Sequence, residues 1–351
     1  MIIINGDFLC RNLTGIERFA FETCKHLDNL IEKNQIGIYI PKNAKTIPDY
    51  KNIKVIISKK ECKVFPLWEH LEFGKFVKKS KYTPLDFSNV TPIGTKGIVF
   101  IHDIYAKLYS KDFSRFRDKL INKYMCLMYR YATKHAKLLL TVSEFSRTQI
   151  ANTYKIPKEK IYVIPNGWDH FKEIQPDDSI IKNNPKLQDN FYFTLGSLSL
   201  RKNLKWVAEY AKKNPNEKFA ISGKMLSGLV PQELEILKSL DNVILLGYVS
   251  DEQVKALMQK CTAFVFPSYY EGFGIPPLEA LSCGTKIIVS NAASLPEIYE
   301  NTAYYINPND TNINLKLLLS KEVESSDKIL ERYQYKNAAI TLCNLLKKFL
   351  L

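Results

Sequence analysis

The sequence predicts an α/β protein made of two doubly wound, parallel-sheet domains. Three observations carry this. The chain has 351 residues, about twice the ~150 expected of one domain. Short apolar, β-branched or aromatic runs alternate with helical stretches throughout. One polar, aperiodic stretch divides these runs into two series. In the first series the strands are expected at 2–4, 37–40, 53–57, 97–101, 138–142 and 161–164, and in the second at 191–195, 219–222, 243–246, 263–266 and 286–289. Strands that are apolar on both faces belong in a buried parallel sheet with helices above and below, so each half reads as Rossmann-like. The dividing stretch, 172–190, is rich in turn formers and poor in residues able to bury, and it reads as a linker. The domains are therefore drawn at 1–171 and 191–325. The last segment, 326–351, is helical in pattern, with Ile340, Leu342, Leu345, Leu346 and Phe349 on an apolar stripe, and is expected to pack back toward the first domain.

Composition narrows the class. At 46% hydrophobic and 25% charged, the chain can bury a sizeable core, which excludes a disordered or collagen-like protein. The seven cysteines are scattered without a C-x-x-C pair, which argues for unpaired thiols in a reducing compartment and against a zinc or iron–sulfur site. The chain opens on a strand without signal-peptide layout, and no apolar run approaches the ~18 residues that span a bilayer. A soluble, cytoplasmic protein is expected. Of the net charge of +14, residues 1–170 carry +13 and residues 171–351 carry +1. That imbalance points to an anionic partner for the first half. Within it, residues 64–82 and 113–137 mix aromatics with Lys and Arg. They read either as a surface for an anionic membrane or lipid diphosphate, or as core helices with solvated basic faces.

Open α/β sheets bind ligands beyond the carboxyl ends of their strands, and two such sheets facing one another would make a cleft. The informative residues do follow strands. After 263–266 comes PSYYEGFGIPPLEA, residues 267–280. Gly272 and Gly274 permit an unusual backbone path, and Pro276 and Pro277 suit the start of a helix. A loop feeding a helix N-terminus is an anion site. Glu271 and Glu279 flank it, with Glu279 read in the first helical turn. Taken singly, the two acids are a solvated loop residue and a complement to the helix dipole.

As a whole, the string resembles the E-x7-E signature of the retaining glycosyltransferases of family 4, also called glycosyl transferases group 1. The resemblance runs over roughly residues 1–310. LGSLSLRKN at 195–203 is similar to the family's glycine-then-basic loop, and RNLTGIER at 11–18 to the glycine loop opening the acceptor domain. IHD at 101–103, TVSEFS at 141–146, IPNG at 164–167, VILLGYVSD at 243–251 and SNAASLPE at 290–297 also match, and 332–339 resembles the start of the closing helix. The resemblance implies the GT-B fold, two Rossmann-like domains facing across an interdomain cleft. It implies transfer of a hexose or deoxyhexose from GDP-mannose, dTDP-rhamnose or a UDP-hexose, with retention, to a saccharide or lipid-diphosphate-linked saccharide in cell-surface polysaccharide synthesis.

Residue roles follow from the same resemblance. Glu279 would hold the ribose hydroxyls. Lys202, with Arg201, would hold the diphosphate. His102, Glu271 and the backbone of Gly272, Phe273, Gly274 and Ile275 would hold the sugar, and Gly15 would admit the diphosphate to backbone N–H groups. Tyr248 would lie near the nucleobase and Leu278 on the signature helix. Ser197 stands where many relatives have an arginine, so Arg201 is expected to take that duty. Physical chemistry supports the cations independently: a departing nucleoside diphosphate needs positive charge, and without metal that means Lys, Arg and a helix end. No Asp-x-Asp follows a strand, so neither metal nor cofactor is expected, and a peripheral contact with the inner membrane is. A dehydrogenase is excluded by the lack of G-x-G-x-x-G after any strand. A nucleic-acid binder is excluded because no helix-turn-helix, RRM or KH pattern accompanies the charge. An epimerase or phosphorylase on the same fold remains the alternative.

Overall fold

The structure, a computed structural model, describes residues 1–196, 199–223 and 231–349. It divides into two compact units, Met1–Gly167 with Tyr333–Leu351, and Trp168–Arg332. The polar stretch 172–190, expected as a linker, lies within the second unit. It carries a short helix, Ser179–Lys182, and is tied down by hydrogen bonds. The Asp177 N–H donates to the Glu252 carbonyl at 3.0 Å, and Lys255 Nζ donates to the carbonyls of Phe171 and Ile174 at 2.9 and 2.8 Å. Anchoring by polar groups leaves no hydrophobic periodicity for a sequence reading to find.

The first unit holds strands β1 Ile2–Asn5, β2 Ile36–Ile40, β3 Lys54–Ile57, β4 Thr83–Asp86, β5 Ile98–Phe100, β6 Leu138–Thr141 and β7 Ile161–Val163, in the order β3-β2-β1-β4-β5-β6-β7, all parallel. Strand β4 was not foreseen. It is four residues long and contains Pro84, ordinarily a mark against a central strand. Pairing with β5 begins only at Leu85, so Pro84 stands where that ladder has not yet started. On one face, helix Ile16–Leu27 and the C-terminal helix Tyr335–Phe349 bury Phe19, Ala20, Cys24 and Leu27 with Tyr335, Ala338, Ala339, Leu342, Cys343 and Leu346. The buried stripe therefore differs from the expected one: Ile340 and Phe349 are exposed, and small Ala338 and Ala339 let the helices close up.

The second unit holds β8 Phe191–Leu195, β9 Lys218–Ser222, β10 Val243–Gly247, β11 Ala263–Phe266, β12 Ile287–Ser290 and β13 Tyr304–Ile306, in the order β10-β9-β8-β11-β12-β13, again parallel. Helix Leu204–Lys213 packs Trp206, Val207, Tyr210 and Ala211 on this sheet, with Trp206 and Tyr210 stacked 5.1 Å apart. Strand β13, three residues long, was also not foreseen; its register comes from pairing with β12 rather than from its own pattern.

Candidate functional site

In the second sheet the winding reverses between β8 and β11, and the loops that follow these two strands meet at the crevice this creates. After β8, a single turn, Leu200–Lys202, ends at Asn203, which adopts a left-handed backbone (φ 56°) and starts helix Leu204–Lys213. Asparagine tolerates that conformation better than most residues. Its side-chain amide also fixes the loop, donating to the carbonyls of Pro267 and Pro308 at 3.0 and 2.8 Å. The Tyr269 N–H donates to the Arg201 carbonyl at 3.1 Å. The two loops are thus sewn together before any ligand arrives.

Lys202 and Glu271 face each other in this crevice, with Nζ 2.7 Å from Oε1 and both side chains largely buried. Lys202 also lies over the Phe266 ring, 4.5 Å from its centre. Burial by itself would raise the Glu271 pKa. The positive charges of Lys202 and Arg201 outweigh it and hold the carboxyl below its ordinary range. The loop continues through Gly272 to Gly274, whose φ of +94° suits glycine and whose missing Cβ would sit 2.7 Å from Leu295 Cδ2. The Ser294 hydroxyl donates to the carbonyls of Glu271 and Phe273 at 3.0 Å each, and the Tyr299 hydroxyl donates to that of Gly274. Helix Ile275–Ser282 follows, with proline in its first turn. Its Leu278 side chain and that of Phe273 are buried in the core, which leaves those two residues only their backbone to offer a ligand.

Glu279 does not stand in the first turn as expected. The helix begins at Ile275, so Glu279 lies one full turn in. Its Oε1 is 3.2 Å from Nε2 of His170, and both side chains are largely buried. His170 has no motif context in the sequence. It sits on the turn Asp169–Lys172, and no local pattern announces a partner 109 positions away. Tyr248 lies just past the end of β10, exposed. Ser197 falls outside the described residues. Among the described residues, no group of three or more His, Cys, Asp or Glu side chains could hold a metal ion.

In the first unit, Gly15 (φ +48°) precedes helix Ile16–Leu27, and a Cβ there would meet nothing within 4 Å. His102 follows β5, packed edge-on against Phe19 at 5.2 Å. Its Nε2 is 2.8 Å from the Phe87 carbonyl. A carbonyl only accepts, so Nε2 carries the proton and Nδ1 is the acceptor. Burial lowers the His102 pKa to about 4, which makes the ring neutral at physiological pH. His102 therefore presents a neutral ring with a lone pair at Nδ1.

The sequence reading missed a buried acidic cluster where the first sheet reverses, between β1 and β4. Asn5 Nδ2 donates to Glu69 Oε2 at 2.6 Å and to Asp86 Oδ1 at 3.3 Å. Burial pushes both carboxyls well above their ordinary range; Asp86 adds to the rise at Glu69, whereas the hydrogen bond from Glu69 works against the rise at Asp86. Asp7 is raised to about 6 by burial, against the opposing pull of Arg11 at 3.3 Å.

Residues 13–170 match the family model described as Glycosyltransferase Family 4, and residues 176–338 the model described as Glycosyl transferases group 1. Among curated proteins, the chain is 29% identical over 245 residues to O-antigen chain mannosyltransferase B of Escherichia coli, covering 66% of this chain and 62% of that protein. It is 31% identical over 223 residues to the O-antigen chain mannosyltransferase RfbU of Salmonella typhimurium, covering 62% and 59%. The matched stretches thus span about 60% of these relatives' length. Among solved structures, HepE of Anabaena in complex with UDP and glucose superposes with a TM-score of 0.68 at 16% identity, over 99% of each chain. That likeness concerns the fold. With a family model on each of its two Rossmann-like units, the chain belongs to the glycosyltransferases of the GT-B fold, a Glycosyltransferase Family 4 domain followed by a group 1 domain.

Proposed function

We propose that the protein is a retaining, metal-independent glycosyltransferase that moves a hexose or deoxyhexose from a nucleotide sugar to a saccharide or lipid-linked saccharide during assembly of a cell-surface polysaccharide. The supporting observation is the Lys202–Glu271 pair at the crevice of the second unit, beside a helix N-terminus and Arg201. Such an ensemble suits a sugar diphosphate, with cations for phosphate and a buried carboxylate for hydroxyls. On binding, Lys202 turns from Glu271 to the β-phosphate, and Glu271 is released to accept from the sugar. Glu279, steadied by His170, accepts from the ribose. The bond from the anomeric carbon to the phosphate oxygen breaks while the acceptor hydroxyl bonds to that carbon on the same face. The departing phosphate takes the hydroxyl proton. The relatives named as mannosyltransferases favour GDP-mannose as donor over dTDP-rhamnose or a UDP-hexose.

The acceptor side is proposed to be lipid-linked, at an anionic membrane. Residues 64–82 and 113–137 were read two ways from sequence, and the structure sorts their side chains. Trp68, Phe73, Val77, Met128, Tyr129 and Ala132 are core. Leu67, Leu71, Phe116, Leu120 and Leu127 remain exposed, Phe116 at 78%. The segments join where His70 Nε2 meets the Tyr124 hydroxyl at 3.0 Å. Leu67 and Leu71 are close to His70 in sequence, and Leu120 and Leu127 to Tyr124. In the same two segments Lys75, Lys78, Arg117, Lys119, Lys123 and Arg130 are exposed, whereas Glu69, Glu72 and Asp118 are not. Exposed apolar side chains interspersed with cations suit an anionic bilayer surface.

The test is a thermal-shift and turnover panel of nucleotide sugars. One donor should raise the melting temperature and be consumed with EDTA present. Lys202→Ala should lower kcat/KM at least 100-fold in the protein that remains folded, beyond the stability lost by leaving Glu271 buried without its partner, and Glu279→Gln should weaken donor binding about tenfold. Activity lost in EDTA and restored by Mn would overturn the metal-free mechanism.

A further inference from the structure

At one rim of the first sheet, two cysteines that lie far apart in sequence come together. Cys10 closes the turn Gly6–Cys10 beyond β1, and Cys62 lies between β3 and the helical residues that begin at Phe65. Asn43, after β2, holds both. Its Oδ1 accepts from the Cys62 N–H at 2.7 Å and from the Cys10 thiol at 3.6 Å, while its Nδ2 donates to the Cys62 carbonyl at 3.3 Å. Cys10 packs against the apolar cluster that contains Cys62, Tyr39 and Trp68. The Cys10 thiol and the Cys62 backbone thus share one side-chain partner.

We propose that Cys10 and Cys62 are an oxidation site and form a reversible disulfide, with Cys10 the thiol oxidised first and Cys62 the one that resolves it. This goes beyond glycosyl transfer and stands or falls independently of it. The chemistry of the pair is asymmetric in the required sense. Cys10 is part-exposed. The hydrogen bond from Cys62, helped by the charges of Arg11 and Lys45, lowers its pKa against burial and Asp7. Cys62 is buried, and its hydrogen bond to Cys10 together with burial raises its pKa. Burial also raises Cys24, Cys126, Cys261 and Cys283. A low-pKa, accessible thiol beside a second thiol is the arrangement of a redox-responsive pair.

With hydrogen peroxide as oxidant, the Cys10 thiolate attacks one peroxide oxygen. The S–O bond forms, the O–O bond breaks, and the departing hydroxide takes a proton to become water. The Cys62 sulfur then attacks the Cys10 sulfur, the S–S bond forms, and the hydroxyl leaves with the Cys62 proton as a second water. Two thiols and one peroxide give one disulfide and two waters. The bridge would tie the turn before Arg11 to the segment before Phe65, where the Arg11 guanidinium already lies 3.5 Å over the Phe65 ring and pairs with Asp7 and Glu17. The loop leading to Gly15 would be fastened at its base.

The experiment treats the full chain with hydrogen peroxide, blocks remaining thiols with N-ethylmaleimide, digests it and identifies peptides by mass. A Cys10–Cys62 cross-linked peptide is expected, with two of the seven thiols lost and both regained in dithiothreitol. In Cys62→Ser the cross-link should vanish and Cys10 should instead take up dimedone, which captures a sulfenic acid. In Cys10→Ser the remaining six thiols should resist the same dose. Oxidation of Cys10 without a bridge in the wild type, a bridge to another cysteine, or loss of Cys62 at the same rate in Cys10→Ser would overturn the proposal.

Discussion

Lys202 and Asp7 show two opposite uses of a buried charge. Lys202 is largely buried yet paired with Glu271, so its charge is offset in place. Asp7 is buried where its pairing with Arg11 does not fully offset desolvation, and its pKa rises to about 6 from 3.8. A carboxyl whose pKa is higher in the folded state binds its proton more tightly there. Its contribution to stability is therefore complete below about pH 4 and is lost as the pH rises through 6, on the order of 3 kcal/mol in all. Asp7→Asn should accordingly gain stability relative to wild type between pH 4 and pH 7, read as a shift in urea midpoint. Parallel midpoint curves for the two proteins across that range would show that Asp7 does not titrate as described. Glu271 behaves in the opposite sense: its lowered pKa gives stability that is present above about pH 4.5 and fades in acid.

The loops and helix ends of the second unit depend on a few backbone positions. At Gly274, a left-handed backbone coincides with a 2.7 Å approach of the absent Cβ to Leu295. Gly274→Ala should destabilise the second unit by ~1–3 kcal/mol, combining the conformational cost with displacement of Leu295. Donor affinity should fall with it, because residues 271–275 form one loop anchored by Ser294 and Tyr299. An unchanged melting temperature and donor Kd would mean that the loop tolerates a side chain there. The signature loop itself was legible, since glycines and prolines declare a turn and a helix start whatever surrounds them. The depth of Glu279 in its helix was not, because proline at the second and third positions fixes a start only to within a few residues. Strands β4 and β13 were missed for a related reason: three or four residues are too few to show a period, and neighbouring strands set their place.

At the scale of the whole molecule, charge and exposed apolar surface coincide in the first unit. Residues 1–167, which carry +14, belong to the same unit as Leu67, Leu71, Phe116, Leu120 and Leu127. The protein should bind vesicles containing anionic lipid at low salt and release them at ~0.5 M NaCl, with weak binding to neutral vesicles. Phe116→Ser with Leu120→Ser should weaken vesicle binding several-fold and leave the donor-induced thermal shift intact. Equal recovery on neutral and anionic vesicles would point instead to a soluble acceptor. Two α/β series, the carboxyl-end position of the glycine-rich loops and the cationic bias of one half are legible in the residues alone, because strand periodicity, backbone preference and charge are local properties. The meeting of His170 with Glu279, of Cys10 with Cys62, and the entry of β4 into the middle of a sheet are settled only in three dimensions. Each of those pairs residues far apart in the chain, and such pairings are selected by close packing of the whole core rather than by any pattern within a segment.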